Sequence, residues 1–449
     1  MPEPSAESST QAVDTRPTRR SFLQATGLSL AASVVPSAVL GLNGQTPPSE
    51  RITLGVIGYG PRCRYVLQGF LKHDDCRIAT VCDLQRDRAE EGRQAVDLHA
   101  KSTGGTADCR TSQRHEDLLG DDSLDGLIIA TGDRWHAPLS ILAAAAGKDV
   151  YSEKPCGLTI ELCQQVADAV NRHGCVYQAG TQRRSVGNFR AAVQIARDGH
   201  LGPLTTLHAS AYTPELKNDW LPGQPLPDPA ECDWNRWLGP APWRPFNQQY
   251  VDGRWRGYWD FDSGARLLDW AAHTLDLCQM AASRDGSMPT TYQPHDDRIV
   301  CRYDDGVAIE IDFLATPFGD RAPHYITRLG VCPVRFEGEA GWIETGDSGE
   351  IATSGPAVDA HLPAASDRDA MKKVWGQDVG SHARDFLDCM RSREQPHANH
   401  EVMRKSHIAC HAAAIAWILG REVTIDPATE TLGDADAQRL ATRAARDWA

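Results

Sequence analysis

The chain has 449 residues, too many for one core of ordinary size, and its 41% hydrophobic and 24% charged content is that of a globular protein of about two domains. A formal net charge of −14 sets it against nucleic acid and anionic membrane surfaces, whose phosphates would meet repulsion over most of the folded surface. Small-molecule chemistry is the class that remains.

Residues 1–45 read as an address rather than as part of a fold. The long apolar stretch from Phe22 to Leu42 is broken by Ser, Gly, Thr and Pro36, and so falls short of the run of about 20 mainly apolar residues that a spanning helix needs. It follows Arg19 and Arg20, and "TRRSFLQ" resembles the twin-arginine leader, which directs already folded proteins through a bacterial export route. An exported, periplasmic protein with no spanning domain is expected, its leader cut near Ala38 to Gly44 or kept as an anchor. "TPPSE" then serves as a short linker.

The folded part opens with "RITLGVIG", an apolar run ending in glycines that predicts a buried parallel strand breaking into a turn. A helix near Arg64 to Lys72, the strand "CRIATVCD" and a polar helix from Asp87 to Lys101 follow. Next come the strand "LDGLIIAT", the helix "APLSILAAAAGK", the strand "DVYSE", a helix from Thr159 to His173 and the strand "CVYQAGT". This alternation predicts an α/β domain with a doubly wound parallel sheet over 46–183.

Within it, Gly58, Tyr59 and Gly60 end the first strand, where glycine permits a tight turn and close approach of backbone to a pyrophosphate at a helix N-terminus. The third position of the G-x-G-x-x-G pattern is Cys63, a small residue in place of glycine. Asp83 ends the second strand, where a carboxylate accepts from both ribose hydroxyls of an adenosine and repels a 2′-phosphate. NAD is therefore expected over NADP, with Arg86 nearby keeping the phosphate-bearing form open.

Past Gln182 the rhythm changes. Pro222 to Tyr258 is crowded with Pro, Gly and Trp, a loop composition, and Gly264 to Ala282 predicts a helix. "RIVCRYDDGVAIEIDFLAT", "HYITRLGV" and "PVRFEGEAGWIET" predict antiparallel strands turning at Asp305-Gly306 and at Gly338 to Gly341. A Ser/Asp/Pro-rich loop from Thr345 to Arg368 precedes helices at Gly380 to Arg391 and Glu401 to Leu419. An α+β domain with an open, mainly antiparallel sheet is expected over 184–425, and 426–449 as a C-terminal tail. The 13 cysteines contain no C-x-x-C pair, so no structural zinc is expected and no disulfide can be assigned from spacing.

The stretch "IIATGDRWHAPLSILAAAAGKDVYSEKP" resembles the Gfo/Idh/MocA family of sugar and polyol oxidoreductases, with Gly132 standing where the family usually has proline. "AGTQRRS", "GARLLDWAAHTLDLCQMA" and "HARDFLDCMRSREQP" extend the likeness over 51–425. The resemblance implies a Rossmann domain holding the cofactor, with Thr131, His136, Glu153 and Lys154 about it, and a second domain that forms a homo-oligomer, dimer or tetramer, through its sheet. The residue before a proline is extended, and the family uses that turn to aim Lys154 at the cofactor.

Oxidising a secondary alcohol requires a base for the hydroxyl proton while hydride leaves the carbon. In "LLDWAAHTLD", Asp269 and His273 are four apart and share a helix face, so the aspartate can hold the imidazole that takes the proton. Asp276, three further on, reads equally as a substrate ligand or as a helix-orienting carboxylate. The resemblance maps the family's lysine, aspartate and histidine onto Lys154, Asp269 and His273, with Lys154 stabilising the developing charge on oxygen. Arg183 and Gln182 read as a nicotinamide or substrate rim. The tryptophans between Trp220 and Trp259 read either as stacking faces for a sugar ring or as the core of an irregular segment, with Trp135 and Tyr258 as the expected sugar contacts. The main expectation is hydride transfer on a carbohydrate; net hydrolysis through transient oxidation and a non-catalytic sugar-binding protein are the alternatives. A metal site built on Asp269 and His273 lacks a second clustered pair of ligands and is not expected.

Overall fold

The computed structural model describes residues 50–314, 331–364 and 380–447. The leader expected over 1–45 lies outside them, as does 324–330 of the strand expected there. Strand β1 (Ile52–Ile57) is apolar towards both faces and becomes the middle of a sheet. Gly55 is required by that crowding, since a Cβ there would come within 2.9 Å of the side chains of Leu118, Leu124 and Leu127.

Helix α1 (Pro61–Leu71), β2 (Cys76–Cys82), α2 (Arg86–Ser102), β3 (Arg110–Ser112) and β4 (Gly126–Ile129) follow, then α3 (Asp133–Ala145), β5 (Asp149–Ser152), α4 (Ile160–His173) and β6 (Tyr177–Ala179). The six strands run parallel in the order β3-β2-β1-β4-β5-β6. Winding reverses between β1 and β4, and a crevice opens at their carboxyl ends. Ends of helices are closed locally, as in α4, where Thr159 Oγ1 accepts from Leu162 N at 3.1 Å and Gly174 adopts φ +66°.

The second sheet has nine strands among the described residues. Helix α5 (Gly187–Arg197), β7 (Leu204–Tyr212), α6 (Trp234–Leu238) and α7 (Leu268–Ala281) come first. They lead to β8 (Thr291–Pro294), β9 (Arg298–Arg302), β10 (Ala308–Leu314), β11 (Val334–Gly338), β12 (Gly341–Thr345) and β13 (Ile351–Thr353). After α8 (Gly380–Ser392) and α9 (His400–Leu419), β14 (Val423–Asp426), β15 (Thr431–Leu432) and α10 (Ala435–Arg439) close the chain. The order is β13-β12-β11-β7-β10-β9-β8-β14-β15, with β7 and β10 parallel and the other described pairings antiparallel.

Along β7, Leu207, Ala209 and Ala211 turn towards the core beneath α7, and Thr274 Oγ1 of α7 donates to Ser210 O at 2.7 Å. Helix α7 starts at Leu268, later than expected, because Gly264, Ala265 and Arg266 form a left-handed turn with φ of +60°, +51° and +71°. That conformation costs a residue with a side chain roughly 1 kcal/mol or more.

The C-terminal region differs from expectation. Of the residues expected as a tail, Asp426 and the two-residue β15 pair within the hairpin that β14 makes on the edge of β8, and α10 follows, elements too short for a sequence period to show. Helix α8 packs on α1, with Phe386 edge-on to Phe70 and Tyr151 at 6.2 and 6.1 Å, so residues well past 183 complete the first domain.

Candidate active site

The crevice at the carboxyl ends of β1, β2 and β4 is a groove of about 370 Å³. Gly58 turns there with φ +88°, and a Cβ would meet Ala130 O and Thr131 Cγ2 at 2.8 Å. Beside Gly60, at the N-terminus of α1, a Cβ would meet nothing within 4 Å, so the backbone is open to close approach. Asp83 accepts from Tyr59 N (2.7 Å) through one carboxylate oxygen and from Gln85 N (2.8 Å) through the other, which leaves a lone pair on each for a ribose hydroxyl. Burial raises the Asp83 carboxyl above its ordinary value, against the pull of those two N–H groups. These residues fit a dinucleotide. Cys63 is fully buried where the third glycine would stand, and the Tyr59 side chain packs on Gly92 and Val81, so Tyr59 serves through its backbone. Arg88, rather than Arg86, lines the groove near Asp83.

The groove is roofed by the Trp-rich segment. Trp234 stacks on Trp237 at 4.7 Å, and Phe246, Tyr250 and Phe261 complete an aromatic core within the segment. Most of its rings thus form the core of an irregular segment, while Trp237 and Trp255 also line the groove. Arg134 Nε donates to Trp237 O at 2.7 Å with its guanidinium 3.5 Å from the Trp237 ring centroid. Trp135, expected at the substrate, instead lines the groove, its Nε1 donating to Arg236 O at 3.1 Å. Tyr258, the other expected sugar contact, is buried edge-on to Tyr250 at 5.1 Å and lines neither cavity. An aromatic ring in an irregular segment gains more by joining that core than by facing water.

A second cavity of about 240 Å³ adjoins the groove, sharing Arg62, Ala130, Thr131 and Arg256 with it. Here the structure brings together His136, Glu153, Lys154, Arg183, Asp269 and His273. Lys154 follows β5, joined to Pro155 by a cis bond, and its Nζ donates to Asp269 O and, at 3.1 Å, to Asp269 Oδ1. Arg256 Nη2 lies 3.1 Å from the same oxygen. Burial opposes ionisation of Asp269, but Arg256 and Lys154 hold its carboxyl below the ordinary value.

Asp269 does not serve as the expected holder of His273. Facing cations draw it away, and the imidazole is bound by Arg183 Nη1 at 3.0 Å from Nε2. A guanidinium only donates, so Nε2 accepts and the proton resides on Nδ1, which has no hydrogen-bond partner. Burial first, then Arg183 and Lys154, push His273 well below its ordinary pKa. It is thus a neutral hydrogen-bond donor at physiological pH, in place of the base expected from its residue type. Arg183 is itself held by Asp347 at 3.2 and 2.6 Å.

His136 is the mirror case. Its Nδ1 donates to Pro155 O at 2.7 Å, leaving Nε2 as a buried acceptor without a partner, and burial lowers its pKa. Gln182 donates to Glu153 Oε1 (2.5 Å) and to Tyr151 Oη (2.7 Å), so it positions the glutamate rather than forming the rim. Asp276 takes Arg184 in a two-pronged pair at 2.5 and 2.9 Å, both side chains buried, which settles its role as structural.

Sequence reasoning missed Arg256, the residue that ties the site together. Its guanidinium lies 3.6 Å from Asp133, 3.2 Å from Asp262 and 3.1 Å from Asp269, joining α3, the roof and α7. Arginines set among the aromatics of "GRWRGYWD" were the available signal, and nothing in the stretch separates Arg256 from Arg254. Trp270, also missed, lines the reaction pocket with its ring centroid 5.7 Å from Lys154 Nζ. Away from the site, His208, Glu310 and Asp312 gather on the second sheet within metal-ligating distance of one another, but Arg298 lies 3.2 Å from Glu310 and His208 Nδ1 lies 3.2 Å from Asp312, so they form a salt-bridged face. All 13 cysteines are free thiols, and no described helix is long and apolar enough to cross a membrane.

A dinucleotide crevice opening into a charged pocket under an α+β domain defines the architecture of a nicotinamide-linked oxidoreductase. Residues 52–181 match the NAD-binding Rossmann fold of the oxidoreductase family, and residues 194–315 its C-terminal alpha/beta domain. The chain belongs to the Gfo/Idh/MocA family. A glycosyl hydrolase family 109 protein of Shewanella pealeana is 31% identical over 176 residues, 34% of this chain and 37% of the relative. An inositol 2-dehydrogenase of Serratia proteamaculans is 28% identical over 197 residues, 42% of this chain and 54% of the relative. The chain thus spans about half the length, or less, of these curated relatives. Among solved structures, the WlbA dehydrogenase of Bordetella pertussis, in complex with NADH and UDP-GlcNAcA, shares the fold at a TM-score of 0.60 and 17% identity, over 84% of this chain and 98% of its own. The aldose-aldose oxidoreductase of Caulobacter crescentus, complexed with glycerol, does so at 0.58 and 16%, over 84% of this chain and 100% of its own.

Proposed function

We propose that the protein is an NAD-dependent oxidoreductase that moves hydride between a secondary alcohol of a sugar, polyol or sugar derivative and a dinucleotide it retains. The observation that carries this reading is the junction of the two cavities, where Thr131 and Arg256 line both and Lys154 lies just inside the second. A nicotinamide, when bound, supplies the hydride acceptor or donor. Lys154 Nζ, tethered by Asp269, is the atom at which the hydroxyl proton is held or moved. His273 offers an N–H and His136 a lone pair, opposite hydrogen-bonding roles suited to a polyhydroxylated ring. Trp270 offers such a ring an apolar face. NAD is favoured over NADP because the Asp83 carboxylate opposes a 2′-phosphate.

Export through the twin-arginine route, periplasmic residence and assembly as a homodimer or tetramer belong to the same proposal. An enzyme outside the cytoplasm meets no free NAD, and folded export lets it leave with the cofactor bound. Denaturing the purified, exported protein and weighing the released small molecules by mass spectrometry is expected to give near-stoichiometric NAD. An empty protein that also fails to take up NAD in a titration overturns the reading.

The glycosyl hydrolase family 109 relative favours a second reading. In it the same groups oxidise a glycoside transiently, the aglycone is eliminated to leave an unsaturated ketone, water adds across its double bond in the aglycone's place, and the carbonyl is reduced again by the hydride first removed, giving net hydrolysis. Release of free sugar with no NADH accumulating selects it over net redox chemistry.

A further inference from the structure

The roof over the groove is held from behind by the last described residues. Arg446 Nε donates to Gly239 O at 2.8 Å, while Nη1 and Nη2 each reach Asn235, at its Oδ1 and its carbonyl, at 2.6 Å. Arg446 N also donates to Pro240 O at 3.0 Å. Gly239 and Pro240 lie at and just past the C-terminal end of α6, while Asn235 lies in its first turn and its carbonyl also accepts from Gly239 N at 3.1 Å, so Arg446 braces the short helix along its length. Three residues earlier, Arg443 Nη1 donates to Trp259 O and, at 2.8 Å, to Asp262 O, its guanidinium 3.7 Å from the Trp259 ring centroid. Between these two anchors, 235–262, lie Trp237, Val251 to Gly253, Trp255 and Arg256, which line the groove from above. The strap is itself fixed to the first domain, where Ala441 O accepts from Glu161 N at 3.2 Å.

We propose that residues 441–447 form a clasp that sets how slowly a bound dinucleotide is released, with Arg443 and Arg446 as its positioning residues. The proposal rests on the reading that the groove holds NAD. Nearly all the clasp's acceptors are main-chain carbonyls, so it grips the conformation of the roof rather than any one side chain. From the front the roof is held by Arg134 and Trp135. A dinucleotide beneath it leaves only when the roof lifts, and lifting breaks the clasp at both ends.

The test is the NAD release rate, followed by stopped-flow fluorescence with excess unlabelled competitor, in the full chain and in Arg443→Ala, Arg446→Ala and the double variant. Each single variant is expected to release NAD at least about tenfold faster, the scale of one lost charge-assisted hydrogen bond, and the double variant faster still. Arg446→Lys keeps the charge but loses the fork, and is expected to fall between parent and alanine. Circular dichroism of each variant separates release from unfolding, and if the double variant does not fold, Arg446→Lys carries the comparison. Variants that fold and release NAD at the parent's rate overturn the clasp while leaving NAD binding intact. A parent that neither holds nor binds NAD overturns the clasp together with the reading beneath it.

Discussion

Compared with the dinucleotide groove, whose floor is main chain at Gly58 and Gly60 and one carboxylate aimed by two backbone N–H groups, beneath a roof that carries Trp237 and Trp255, the reaction pocket is built largely of charge. Arg62 pairs with Glu153 at 3.2 Å, Lys154 with Asp269, Arg183 with Asp347, and Arg256 with three carboxylates. A surface of backbone is damaged by an added atom. A surface of paired charges is damaged by a missing one, because the partner stays buried and uncompensated.

The largest expected effect tests the charged end. Lys154→Met should lower turnover by about 10²–10⁴-fold, the scale of a lost proton-transfer group, with NAD occupancy unchanged. Activity near that of the parent would remove Lys154 from the chemistry. Next, Arg256→Ala takes the facing cation from Asp133 and Asp262 and leaves Asp269 with Lys154 alone, and urea denaturation should show a loss of about 3–5 kcal/mol. Arg256→Lys should restore part of it, since a point charge cannot reach three carboxylates as a guanidinium does.

A third effect lies at the seam between the domains, where buried His382 binds Ala179 O (2.9 Å) and Ser185 Oγ (2.7 Å), burial lowering its pKa to about 4. Between its unfolded value near 6.5 and about 4, the unfolded chain takes a proton that the folded one refuses. Its contribution to stability is therefore complete above that window and declines as pH falls through it, by about 3 kcal/mol in all. His382→Gln should flatten the slope of stability against pH between 6.5 and 4.

At the backbone end, Gly58→Ala sets a side chain at φ +88° with contacts of 2.8 Å, and NAD affinity by calorimetry should fall about 10–10²-fold. Smallest of all, Tyr258→Phe should leave KM within about twofold, since the ring packs in the roof. A large rise in KM would return Tyr258 to the substrate.

The groove is legible in sequence because its parts are neighbours, Gly58 and Gly60 in one turn and Asp83 at the end of the next strand. The alternation of strands and helices likewise fixes the doubly wound sheet, since each period is a local property. In the pocket, spacing places Asp269 and His273 on one helix face, but which charge meets which depends on what the other elements present. Arg183 arrives from the turn at Gln182–Ser185 and Arg256 from an irregular loop, and neither approach has a period to read. Tyr258 shows the limit from the other side, for an aromatic in a loop carries no sign of whether it faces a ligand or its neighbours.

The turn that begins at Gly264 holds Ala265 and Arg266 at angles that the same two residues, free in water, would abandon. Its restraints are few and specific: Glu215 N donates to Ala265 O at 2.9 Å, and the Arg266 guanidinium lies 4.1 Å from the Tyr212 ring centroid and 3.5 Å from Glu215. The bearing on which α7 leaves the turn is thus set by torsion, as a crank sets the throw of its rod. Asp269 and His273 ride that one shaft, so whatever relaxes the crank misaligns the anchor of Lys154 and the imidazole donor together.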